Sequence, residues 1–178
     1  MRQQGLGQPS LRSVQASRPE QPVAALVLLR LVGHELAAFC KQELAATPVL
    51  GPFMRASGAI FVDRENTATA RQPFLRGVEA LRAGRSVAVA PEGTRSAGGE
   101  LAAFKPGAFL MARRARVPVV PLVLHNSGDA LPKGSLMVRP ATVRVTVLEP
   151  IDVGSWRAGE FDQQVLTLEQ RYRELLSA

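Results

Sequence analysis

The stretch Ser86-Val87-Ala88-Val89-Ala90, followed by Pro91-Glu92-Gly93-Thr94-Arg95-Ser96, decides how this chain is read. Its first five residues read as a short buried strand. The next six set a proline, a glycine and two hydroxyls around one carboxylate and one guanidinium. In an open α/β sheet, ligands bind just past the carboxyl ends of strands, and a glycine there lets the backbone approach an anion closely. Arg95 can grip a phosphate through two hydrogen bonds, and Thr94 and nearby N–H groups can add more. The plainer alternative for the same residues is a capped turn between a strand and a helix.

The surroundings alternate in the same way. Upstream, Phe74, Val78 and Leu81 recur at helical spacing in a segment that Asn66 or Thr67 would cap and Gly84 would close. Pro73 would sit near the start of that helix or bend it. Further upstream, strands are expected at Glu35 to Lys41 and Ala59 to Asp63, with a short helix from Pro48 to Ser57 ended by Gly58. Val23 to Val32 could form a short helix. Downstream, a helix is expected over Pro106 to Ala115 and a strand over Val117 to Leu124. Pro118 and Pro121 suggest that this strand is irregular or lies at a sheet edge, because proline cannot donate to a ladder. Val143, Val145 and Val147 alternate with Arg144 and Thr146, the pattern of a strand with one wet face. Phe161, Val165, Leu168, Tyr172 and Leu175 form a 4-3-4-3 stripe on a last helix from Glu160 to Leu176. Strands alternating with helices argue for an α/β class, a mostly parallel sheet flanked by helices in a single domain. Residues 23–178 are expected to form that domain, and residues 1–22, rich in Gln, Ser, Arg, Gly and Pro, a disordered or atypical tail.

At 178 residues the chain can bury a real core. No apolar run is long enough to span a bilayer, and the first residues do not read as a signal peptide. Cys40 is the single cysteine, so no internal disulfide forms, and one Cys with two His offers no metal pattern. Cys40 reads as a small core residue. The net charge is +7 and arises mainly from arginine, since Lys41, Lys105 and Lys133 are the only lysines among 22 basic residues. That balance favours a phosphorylated substrate or an anionic membrane surface. With one Trp and one Tyr, there is no basic stripe interleaved with aromatics, so a nucleic-acid partner is not expected.

Three further segments stand in order around the opening motif: Gly58-Ala59-Ile60-Phe61-Val62-Asp63-Arg64, Phe104-Lys105-Pro106-Gly107-Ala108, and Val117-Pro118-Val119-Val120-Pro121-Leu122. Together with Lys41-Gln42-Glu43-Leu44, they resemble the motifs of the glycerolipid acyltransferases of the 1-acylglycerol-3-phosphate acyltransferase (PlsC-like) family. The resemblance covers about Glu35 to Val153. It implies transfer of an acyl group from acyl-CoA or acyl carrier protein to the free hydroxyl of lysophosphatidate, giving phosphatidate, with no cofactor and no metal. It also implies a cytoplasmic protein that is peripheral at the membrane face. Arg64, Glu92, Gly93, Thr94 and Arg95 are assigned by the resemblance to the acceptor phosphate, with Lys105 as a weaker member of the set. Glu92 cannot bind a phosphate as an anion, and would orient Arg95 or the acceptor hydroxyl. Phe61 and Pro121 are the acyl-side candidates, although both also suit a core. Arg64 has an alternative as a surface ion pair with Asp63 or Glu65, and Lys105 one as a solvated loop residue.

One part of the family pattern is not found. Acyl transfer needs the attacking hydroxyl deprotonated, and in this family a His does that, oriented by an Asp five residues later and placed upstream of the Lys-x-Glu-Leu segment. Here the residue five after His34 is Phe39, and five after His125 is Ala130. Residues 1–32 hold no His and no Asp. No catalytic residue is therefore identified, and the fold is expected to be N-terminally incomplete, from truncation or a misplaced start. The alternative is a catalytically impaired fragment or a non-catalytic lipid-phosphate-binding module. A nucleotide-binding domain is disfavoured, because neither a dinucleotide glycine pattern nor a Gly-Lys-Ser/Thr is present.

Overall fold

The computed structural model describes residues 13–17, 36–48, 50–63, 70–92, 101–126, 129 and 139–177. Its frame is a six-stranded sheet in the order β3-β2-β4-β1-β5-β6. The strands are β1 (Ser13–Ser17), β2 (Leu36–Lys41), β3 (Ile60–Val62), β4 (Ser86–Val89), β5 (Val120–Leu124) and β6 (Val145–Val147). The first five run parallel and β6 antiparallel to β5. The helices are α1 (Leu50–Ala56), α2 (Arg71–Arg82), α3 (Gly107–Ala115) and α4 (Phe161–Ser177).

Ser13–Ser17 corrects the expected tail. It is a central strand, with Gln15 paired in register to Val89 of β4 on one side and to Pro121 of β5 on the other. The expected helix at residues 23–32 lies outside the described residues, as do the proposed caps Asn66 and Thr67. Within the described part, α2 begins at Arg71 with Pro73 in its first turn, where its missing N–H costs nothing. Gly84 takes a φ of +87° directly after α2, the left-handed conformation that closes a helix. Gly58, at +76°, does the same after α1, and a side chain there would strike the Arg85 guanidinium.

Period-two alternation sorts the strand side chains onto two faces. Ala37, Ile60, Val87, Val119 and Val123 meet α2, α3 and α4 in the main core, through Val78, Leu81, Phe109, Met111, Phe161, Val165, Leu168 and Tyr172. Leu36, Ala88, Val120, Leu122 and Leu124 form a cluster on the opposite face. The last helix buries Phe161, Val165, Leu168 and Tyr172 of the expected stripe and half-buries Leu175, and it also buries Glu169, which lies one turn beyond Val165. Gly77 marks the close approach of α2 to α3, because a side chain at that position would collide with the Met111 thioether.

Of the two alternatives expected at Pro121, an irregular strand or a sheet edge, the structure gives the first. β5 lies between β1 and β6. Pro121 carbonyl oxygen accepts from Leu148 N–H, just beyond the end of β6. A residue's N–H and C=O point to the same side of a strand, so the missing donor faces the place where the β6 ladder stops. The pairing slips by one residue there, from Val119–Ile151 to Leu122–Val147, as a bulge allows. Pro118 precedes the strand, in the turn after α3.

If β1 holds the centre of the sheet, Gln15→Pro removes a ladder donor between two partners and should cost roughly 3 kcal/mol. Urea unfolding measures this, and an unchanged midpoint would mean that β1 is dispensable.

Candidate active site

Parallel pairing carries the carboxyl ends of β2, β3 and β4 to one edge of the sheet. A cavity of about 280 Å3 opens there. Phe39, Val62 and Val89 supply its strand wall, and Pro73, Phe74 and Met111 its helix wall. The lining is mostly apolar, with Asp63 and Lys105 as its charged side chains. The first turns of α2 and α3 also reach it, through Ala70 and Gly107. Neither first turn carries an acidic residue. Their N–H groups have no partner within the helix and leave partial positive charge at the helix starts, beside Lys105. The site therefore combines an apolar volume with a polar rim, on which Lys105 and the two helix starts are positive and Asp63 is negative, and the positive part suits the anionic head of a ligand with a chain.

The motif strand leaves β4 through Ala90 and Pro91, both on the cavity wall. Glu92 follows and is only 2% exposed. Its Oε2 accepts the backbone N–H of Ala102 at 3.0 Å. Pro91 carbonyl oxygen accepts from Lys105 N–H at 2.8 Å. These two bonds tie the chain where it returns from the motif, and Leu101 and Phe104 sink into the core beside them. Phe104 N–H donates to Glu169 Oε2 at 2.9 Å. Its ring meets Tyr172 edge-on, with centroids 5.1 Å apart. Burial pushes the Tyr172 hydroxyl well above its ordinary pKa, opposed in part by a backbone hydrogen bond with Leu122, so the hydroxyl stays protonated.

Of the residues singled out in the sequence, Lys105 lines the cavity, and Glu92 directly follows the cavity residue Pro91, with its Oε2 accepting the Ala102 N–H. Arg64, Gly93, Thr94 and Arg95 lie outside the described residues, as does His34. Phe61 packs with Cys40, Met54 and Ala59, on the opposite sheet face from the cavity-lining Val62. Pro121 is buried in β5, and neither acyl-side candidate lines the cavity. His125 directly follows β5, and its Nε2 is 2.8 Å from Thr146 Oγ1, a contact that joins β5 to β6. Cys40 is buried, as a core residue should be. The cavity residues Phe39, Phe74 and Met111 were not singled out as a site. Their signal was the shared strand parity of Phe39 and Val89, together with the helical stripe that includes Phe74.

A family model described as Acyltransferase matches residues 22–125, more than half of the chain and all of the strands from β2 to β5. The chain belongs to the Acyltransferase family. Among curated members, the 1-acyl-sn-glycerol-3-phosphate acyltransferase of Limnanthes alba is 30% identical over 176 residues, covering 98% of this chain and 63% of the relative. The enzyme of the same name from Saccharomyces cerevisiae is 36% identical over 142 residues, covering 73% of this chain and 46% of the relative. The crystal structure of the 1-acyl-sn-glycerophosphate acyltransferase PlsC from Thermotoga maritima superposes with a TM-score of 0.73 at 27% identity, covering 93% of this chain and 66% of that one. This acyltransferase chain thus spans under two thirds of the length of these relatives.

Removing the Glu92 carboxylate would leave the Ala102 N–H without its acceptor. Glu92→Ala should destabilise the acyltransferase fold by about 1–3 kcal/mol, and Glu92→Gln, which keeps an acceptor oxygen, by less. Thermal unfolding checks the order, and a Glu92→Ala variant as stable as the parent would show that the bond contributes nothing.

Proposed function

We propose that this chain is an O-acyltransferase of phospholipid biosynthesis that acylates the free hydroxyl of 1-acylglycerol-3-phosphate, with acyl-CoA or acyl carrier protein as donor. The observation that carries the reading is the cavity at the carboxyl edge, apolar in its walls and positive on the side of Lys105. A lysophosphatidate has matching parts, an acyl chain for the walls and a phosphate for the cation and the helix starts. Arg64 directly follows the cavity residue Asp63, and Gly93-Thr94-Arg95 directly follow Glu92. These residues are the further phosphate ligands in this reading.

In the reaction, the hydroxyl oxygen attacks the thioester carbonyl carbon, the C–S bond breaks, and the hydroxyl proton leaves with the thiol. Lys105 and its neighbours hold the acceptor by its phosphate, so the hydroxyl is presented at a fixed distance from that anchor. The membership of the family and the names of the relatives support the reaction type. No helix among the described residues is long and apolar enough to cross a membrane. Contact with the membrane is proposed to be peripheral, drawn by the basic charge and by the lipid substrate.

The second reading is a lipid-phosphate-binding module, and one sequence observation favours it: neither His34 nor His125 is followed by an Asp at the fifth position. Loss of a general base costs about 10²–10⁴-fold in rate. The expected outcome with acyl-CoA and lysophosphatidate is saturable binding, weakened by Lys105→Ala about fivefold to tenfold, and phosphatidate formation slowed by roughly the general-base factor. Binding without any phosphatidate would assign the chain to the second reading. No binding at saturating lipid would exclude both.

A further inference from the structure

We propose that the C-terminal helix α4 positions Lys105 for the phosphate head group, with Glu169 as the positioning residue; this rests on the lysophosphatidate reading above. The helix lies beyond residue 125, where the match to the family model ends.

The observation is a carboxylate in the wrong place for a core stripe. Glu169 lies among Val165, Leu168 and Tyr172 and is only 8% exposed. Acidic side chains are seldom so buried unless each oxygen has a partner. Here the two oxygens have separate tasks. Oε1 accepts from Arg173, at 2.8 Å from Nη2. Oε2 accepts the Phe104 N–H, 65 residues away in sequence. The first bond holds the carboxylate on its own helix, and the second reaches across to the segment that carries Lys105.

That segment needs outside support. Residues 101–105 belong to no helix or strand, so their N–H groups have no ladder to satisfy them. Ala102 is held by Glu92, Phe104 by Glu169 and Lys105 by Pro91. Tyr172, one turn along α4, adds a ring contact to Phe104. Lys105 is thereby rooted from two directions, by the exit of β4 and by α4. Its side chain is free to reach an anion while its backbone is not free to drift.

A long-range charge effect predicts the opposite sign. Removing a carboxylate from a chain of net charge +7 should, by simple attraction, tighten anion binding. The positioning account predicts weaker binding. The experiment titrates 1-octanoylglycerol-3-phosphate and the uncharged 1-octanoylglycerol against the parent, Glu169→Ala, Glu169→Gln and Arg171→Ala, the last altering an exposed pair with Glu174. Glu169→Ala should cut the preference for the phosphorylated lipid about tenfold and leave 1-octanoylglycerol affinity unchanged. Glu169→Gln, whose amide oxygen can accept the Phe104 N–H, should keep the preference within about threefold, and Arg171→Ala should alter neither affinity. Should Glu169→Ala fail to fold, Glu169→Met fills the space without an acceptor and carries the same expectation. An unchanged or increased preference in a folded variant, or a parallel loss of both affinities, overturns the positioning role. A parent chain with no preference for the phosphorylated lipid overturns the substrate reading instead.

Discussion

The parallel pairing of β1 between β4 and β5 is the constraint on which the rest of this structure depends. It joins the strands that carry the cavity to the strands that carry the C-terminal part of the core. With Gln15 level with both Val89 and Pro121, β4 and β5 share one reference line. That line fixes where β4 ends, and so where Pro91 and Glu92 turn away from the sheet. The same register sets the parity that sends Val87 and Val123 towards the helices and Ala88 and Leu122 to the other face. A slip of one residue would exchange the two sets.

From this frame the site follows by local chemistry. Strand ends supply Phe39, Val62 and Val89, and two helix starts, with no acidic residue in their own first turns, supply positive backbone ends beside Lys105 and opposite in sign to Asp63. The irregular return past the motif is stabilised by carboxylates, not by a ladder. Glu92, just past β4, and Glu169, on the last helix, accept the backbone N–H groups of Ala102 and Phe104. A buried carboxylate that accepts a backbone donor is strong in low dielectric and costly to leave unpaired. The clamp segment therefore inherits the stability of the core on which both carboxylates stand.

Much of this was legible in the sequence, for definite reasons. The stripe from Phe161 to Tyr172 and the run from Ser86 to Val89 carry their periods openly, and Gly58 and Gly84 end their helices where only a left-handed residue fits well. β1 was hidden because Ser13-Val14-Gln15-Ala16-Ser17 lacks the apolar run expected of a strand buried within a parallel sheet. Its partners also lie some seventy to a hundred residues downstream, beyond the reach of any local signal. Pro121 left an irregular strand and an edge open, because the rule concerns the direction of the missing donor, and direction is a property of the paired sheet. Glu169 was not singled out, since a carboxylate does not extend an apolar stripe and its partner Phe104 lies 65 residues away. Glu92 was read as part of the phosphate site, and the Ala102 N–H that its Oε2 accepts lies ten residues away, outside any local pattern. The cavity was legible only at Lys105, since its walls are ordinary core residues until the strands are placed side by side.

On the proposed reading, the cavity at the carboxyl edge holds the acyl-bearing phospholipid acceptor. Photolabelling with a lysophosphatidate that carries a diazirine on its acyl chain, followed by peptide mapping, tests it most directly. Label should fall on the peptides that contain Phe39, Phe74 and Met111 and be suppressed by excess unlabelled lysophosphatidate. Competable label confined to the exposed surface around Phe53, with none on those three peptides, would contradict it.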